Sequence, residues 1–73
     1  MEKSKFKLNA EDEFVELIKL LKIKQIAQTG GHAKMIVDEG QVKVNGEIEF
    51  RKRKKLRPGD VIELAQIEIT ITA

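Results

Sequence analysis

The chain contains no cysteine, no tryptophan and no tyrosine, and only one proline and one histidine. Without cysteine, neither disulfides nor thiolate ligands can staple the fold, so the core must hold it. One histidine alone cannot make a typical zinc site, and no metal or other cofactor is expected. Long apolar runs are missing too. No stretch approaches the ~18 residues that would suggest a membrane span. The opening MEKSKFKLN has cations but no apolar segment behind them, so it does not read as a secretory signal. Lipidation motifs are absent at both ends, and the expected location is cytoplasmic.

What is present is charge. The 73 residues are 41% hydrophobic and 36% charged, with a net charge of only +2. That length is one small domain, burying about 60% of its unfolded surface, with no room for a deep enclosed active site. The small net charge averages over an asymmetry. Residues 51–57 read RKRKKLR and hold six of the fourteen cations. The other 66 residues carry eight cations and twelve carboxylates, a balance of −4. Such a run can be a solvated edge that discourages strand-to-strand aggregation, a localisation signal, or a surface for a polyanion, whose binding would offset the self-repulsion. Five consecutive cations against a net-negative remainder favour the polyanion.

The hydropathy pattern places this run inside a fold. Lys5-Phe6-Lys7-Leu8 alternates with period two and predicts a strand with Phe6 and Leu8 facing in. Asn9 and Asp12 have capping-box spacing. A helix is expected over residues 11–22, with Phe14, Leu17, Ile18 and Leu21 as its stripe. Acidic residues load its first turns and Lys19 and Lys22 its end, as the helix dipole prefers. After a connector, Thr29 caps a second helix over residues 31–39, with Ala33, Ile36 and Val37 inward and Gly40 as its left-handed stop. Asn45-Gly46 between alternating runs predicts a type I′ hairpin, with Val42, Val44, Ile48 and Phe50 on one apolar face. Arg57-Pro58-Gly59-Asp60 suits a type II turn. Ile62 and Leu64, then Ile67, Ile69 and Ile71, predict two more strands joined near Ala65-Gln66. The expected class is α+β in a single domain, with two short helices against a small antiparallel sheet.

RKRKKLR therefore lies between a hairpin strand and a Pro-Gly turn. If it stays extended, Arg51, Arg53, Lys55 and Arg57 point one way and Lys52, Lys54 and Leu56 the other, with only Leu56 able to enter the core. All three phenylalanines, Phe6, Phe14 and Phe50, fit core patterns, which argues against a base-stacking platform. Recognition of a folded RNA through backbone and shape stays open, and charge alone does not exclude DNA. Thr29-Gly30-Gly31 opens a helix and could offer N–H groups to a phosphate, with Lys34 one turn further on. It does not match a P-loop. The bland reading is that these glycines allow close helix–helix approach. His32 reads as a helix-start residue without a function, and no catalytic constellation is visible.

The segment from Thr29 to Leu64 resembles the S4 RNA-binding domain. The resemblance rests on Gly40-x-Val42-x-Val44-Asn45-Gly46, the basic residues that follow, and Pro58-Gly59-Asp60-x-Ile62. With the preceding helix it covers most of the chain, which looks like the short stand-alone S4-domain proteins of bacteria. It implies the two-helix and hairpin arrangement called the alpha-L motif, used on ribosomal, transfer or other structured RNA. The family often has Ser-Arg before its second helix, the arginine contacting RNA. Here Thr29-Gly30 keeps the cap and loses the cation. That shifts weight to Lys34, Lys43 and the basic run.

The expectation is a monomer, not an enzyme, that binds structured RNA in ribosome assembly or translation, with ribosomal or other RNP proteins as neighbours. Lys34, Lys43, Arg51, Arg53, Lys54 and Lys55 are the expected phosphate contacts, Lys52 and Arg57 lie at the periphery, and Thr29, Gly30 and Gly31 are auxiliary. The alternative is an interaction module whose basic face docks an acidic protein.

Overall fold

The computed structural model describes residues 2–73. In chain order the elements are β1 (Glu2–Lys7), β2 (Val15–Glu16), α1 (Leu17–Ile23), α2 (Gly30–Asp38), β3 (Lys43–Val44), β4 (Glu47–Ile48), β5 (Lys55–Leu56), β6 (Val61–Leu64) and β7 (Ile67–Thr72). Five strands form one sheet in the order β1-β7-β6-β3-β4, and β2 pairs with β5 in a second, two-stranded sheet. The α+β class holds, with one difference: the large sheet is mixed. β1 runs parallel to β7, in register from Glu2 opposite Ile67 to Lys7 opposite Thr72. The other pairs are antiparallel.

The core is wholly apolar. Leu17, Leu20 and Leu21 from α1 and Ala33, Ile36 and Val37 from α2 meet Val44, Ile62, Leu64, Ile69 and Ile71 of the sheet. No polar or charged side chain among the described residues is buried. This satisfies the rule that buried polar groups must be paired by having none to pair.

The second helix forms as its sequence predicts. Thr29 Oγ1 accepts from the His32 N–H at 3.1 Å, and Gly40 takes φ +71° just past the end. The Gly40 and Gln41 N–H groups return to the Val37 and Ile36 carbonyls, a Schellman closure. The first helix ends in the same way. Gln25 N–H donates to the Lys22 carbonyl and Ile26 N–H to that of Leu21. Here the left-handed residue is Gln25, at φ 61°, where glycine would avoid the Cβ penalty.

Three expectations are corrected. The first helix does not span residues 11–22. Asn9 and Asp12 close a turn instead, Asp12 N–H donating to the Asn9 carbonyl at 3.0 Å. Val15 and Glu16 are drawn into the strand pair with Leu56 and Lys55, so the helix starts at Leu17. Phe14 falls outside it and is only half-buried, while Leu20, absent from the expected stripe, is fully buried. Secondly, the hairpin forms at Asn45-Gly46 with φ 53° and 86°, but its apolar face is not Val42, Val44, Ile48 and Phe50. A two-residue turn sets Val44 opposite Glu47 and Lys43 opposite Ile48. Cross-strand partners share a face. Ile48 and Phe50 therefore point away from the core, at 52% and 60% exposure. Thirdly, the run of residues 51–55 is not extended throughout: residues 51–54 form a turn and only Lys55 is in a strand, as described below.

Two substitutions test this account. Replacing Gln25 by glycine should stabilise the fold by about 1 kcal/mol, because it removes the left-handed penalty. Leu56→Ala, at a fully buried site, should cost about 2–5 kcal/mol. Urea unfolding followed by circular dichroism measures both.

Candidate nucleic-acid interface

The basic segment turns in on its backbone and out on its side chains. Lys54 N–H donates to the Arg51 carbonyl at 3.2 Å, folding residues 51–54 into a turn. That breaks the alternation expected of an extended run. The carbonyls inside the turn have a defined use. Lys54 O accepts from Leu17 N–H at 3.0 Å and Lys52 O from Ile18 N–H at 3.2 Å. These are two of the donors that a helix start leaves unpaired. Glu16, the N-cap residue of α1, makes no side-chain cap bond, so the basic loop caps this helix in its place. Leu56 then enters the core with no exposure, as its position in the sequence suggests. The Arg57–Asp60 turn follows, with Gly59 at φ +98° and the Arg57 N–H held by Asp60 Oδ2 at 2.8 Å.

This arrangement brings Arg51, Arg53, Lys54, Lys55 and Arg57 around one shallow surface depression of about 440 Å³. Their side chains differ in what else they touch. Arg51 is gripped by Glu49, with Nε donating to Oε2 and the terminal Nη2 to Oε1, both at 2.9 Å. The Arg51 N–H donates to the same carboxylate at 3.0 Å. Lys52 reaches Asp38 at the end of α2, Nζ to Oδ1 3.0 Å. Lys55 and Arg57 stand over the Phe14 ring, 5.0 and 5.8 Å from its centroid, a cation–π geometry. No ion pair among the described residues involves Arg53, Lys54, Lys55 or Arg57. Within residues 51–57 these four are therefore the cations without a carboxylate partner.

The other expected contacts lie outside the depression. Lys34 is exposed on α2 and Lys43 on β3, facing the same way as Ile48. No atom stands within 4 Å of a Cβ built on Gly30, and Gly31 would meet only Thr29 Oγ1 at 3.9 Å. These glycines therefore do not serve close helix packing. His32 has a local structural role: its Nδ1 accepts from the Gln28 N–H at 3.2 Å. This bond assigns the proton of the neutral ring to Nε2. Among the described residues, no three His, Asp or Glu side chains gather where they could hold a metal ion.

Two features were not foreseen in the sequence. One is the Glu49 grip on Arg51; the other is exposed Phe50. Counting pairs outward from Asn45-Gly46 would have found both. It puts Glu49 opposite Val42, as the Glu49 N–H to Val42 carbonyl bond at 2.9 Å bears out, and leaves Phe50 on the outer face.

The Arg51 hydrogen bonds hold the Glu49 carboxyl down to about 2, against the opposing effect of partial burial. A lowered carboxylate pKa means that the folded state binds its proton less readily than the unfolded chain. The stabilisation from this pair is complete above pH 4.5 and is lost as pH falls toward 2. Side-chain carbon NMR should show Glu49 titrating near 2. Arg51→Met should return it to the ordinary carboxylate range.

The comparisons with known proteins agree with this architecture. The 41% identical "Putative RNA-binding protein YbcJ" of Escherichia coli (strain K12) aligns over 59 residues, 81% of this chain and 84% of the relative. The "Probable ribosome maturation protein RlbA" of Bacillus subtilis (strain 168) is 37% identical over 57 residues, covering 78% of this chain and 80% of the relative. The solution structure of Escherichia coli YbcJ, described as revealing an alfaL motif involved in RNA binding, superposes with a TM-score of 0.68 at 36% identity. That superposition covers 94% of this chain and 86% of YbcJ. Residues 6–72 match the S4 domain family, so the chain belongs to that family.

Proposed function

We propose that this protein binds structured RNA through the depression formed by residues 51–57 and catalyses no reaction on it. The observation that carries the reading is the convergence of Arg53, Lys54, Lys55 and Arg57 on one open surface, on a backbone anchored by Leu56 and by the start of α1. A flexible tail would have to be ordered on binding, whereas this loop is already positioned. Arg51 contributes from its fixed place on Glu49, and Lys52 from the margin beside Asp38. Lys34 and Lys43 extend the footprint. The open start of α2 at Thr29, Gly30 and Gly31 offers an auxiliary phosphate contact.

The family and the two relatives support RNA as the polyanion, and the ribosome-maturation relative favours ribosomal RNA over transfer RNA. The protein would then act as a cytoplasmic monomer in ribosome assembly or translation, beside ribosomal proteins. An acidic protein partner would use the same surface.

Four to six phosphate contacts should give a slope of roughly −4 to −5 in log affinity against log salt at duplex-like sites. Replacing Arg53, Lys54 and Lys55 together by glutamine should flatten that slope by about 3 and leave the circular dichroism unchanged. An affinity for purified ribosomal RNA hairpins that ignores both salt and this triple substitution would overturn the assignment. So would retention of the cellular partner after nuclease treatment.

A further inference from the structure

We infer that Phe50 is a stacking platform for one unpaired base of the bound RNA, next to the loop that holds its phosphates. The inference deepens the reading just given and rests on it. It reverses the expectation drawn from the sequence, where all three phenylalanines were assigned to the core.

An exposed phenylalanine alone says little. Three observations give this one a use. The first is placement: the hairpin register sets Ile48 and Phe50 on the outer face with Lys43, and β4 is an edge strand of the sheet. The second is support. A Cβ built on Gly40 would meet the ring atoms Cε1 and Cζ at 3.4 and 3.5 Å and Ile48 Cγ2 at 3.7 Å. The ring thus rests on the backbone at the end of α2 while remaining 60% exposed. A ring held this way loses little freedom when a base stacks on it. The third is charge. Phe50 directly precedes the basic segment, and Lys43, opposite Ile48, is exposed on the same side of the hairpin.

That combination suits a nucleotide, which presents a flat π-face and a phosphate together. A protein partner fits it less well, because the centres of protein interfaces are depleted in charged residues, and here Ile48 and Phe50 adjoin Lys43 and the start of the basic segment. Phe14 does not offer the same service, since it is half-buried and lies under Lys55 and Arg57. The RNA class implied is a helix with a bulged or looped-out nucleotide, gripped through its backbone and read at one unpaired base.

The test uses two RNA hairpins that differ by a single bulged 2-aminopurine, and full-length protein carrying Phe50→Ala or Phe50→Tyr. The parent should bind the bulged hairpin about ten-fold more tightly than the paired one and quench its fluorescence. Phe50→Ala should lose that preference and the quenching. Its affinity for the paired hairpin and its salt slope should stay unchanged. Phe50→Tyr should keep all of the parent's behaviour. Equal loss on both hairpins, or no loss on either, overturns the stacking while leaving RNA binding intact. Release of Phe50→Ala from ribosomal particles with normal binding to both hairpins would point to a protein contact, and also overturns it. Failure of the parent to bind either hairpin at low salt overturns the RNA reading, and the stacking with it.

Discussion

Two hydrogen bonds, from the Leu17 and Ile18 N–H groups to the Lys54 and Lys52 carbonyls, tie the most cationic segment of the chain to the start of its first helix. Each side of this junction needs the other. The helix has seven residues and no side-chain cap, too short to stand without help. The loop concentrates like charges that would otherwise spread apart. Joining them satisfies the helix donors and fixes the loop, and Leu56 secures the junction from below. The short β2–β5 ladder continues the same contact. Binding surface and core are therefore one construction, and the cations point outward because their backbone is used inward.

The chain also divides its charges. Six cations in the sequence of residues 51–57 do not make six free charges. Glu49 engages Arg51 through both of its oxygens, and Asp38 meets Lys52. The bidentate fork is the stronger of the two, since it combines charge with fixed geometry. The Lys52 pair is solvated and adds little. Both pairs shape the loop: one holds its entry beside β4, and the other leans its tip on the end of α2. What the solvent sees is narrower than the composition suggests, and better defined.

Much of this was legible in the sequence, for reasons that can be stated. The second helix announced itself through Thr29, Gly40 and an apolar stripe, all local signals. The Asn45-Gly46 and Pro58-Gly59 turns were equally local, since both demand positive φ. The start of the first helix was not legible. Phe14, Leu17, Ile18 and Leu21 satisfy a helical period whether or not residues 11–16 are helical. What decides is a pairing with residues some forty positions away. Val15 and Glu16 thus went where tertiary context sent them. Ile48 and Phe50 were misplaced for another reason: alternation was carried straight through the turn, when a two-residue hairpin resets which residues share a face. The membership of the segment in a charged surface was plain from composition. Which of its cations remain unpaired depended on Glu49 and Asp38, and only the fold brings Asp38 near.

The parallel pairing of β1 with β7 bears on how the molecule comes to exist. β7 lies between β1 and β6, so β1 has no neighbour in the sheet until β7 is in place. A chain emerging from its N-terminus can form the α1–α2 pair and the β3–β4 hairpin early, from contacts close in sequence. Residues 2–7 must wait through more than half a hundred positions for their partner. Contacts of such long separation close late and slow the whole process. Even in the finished sheet β1 is an edge strand, and its alternating lysines at 3, 5 and 7 are the charges that keep such an edge from pairing with a stranger.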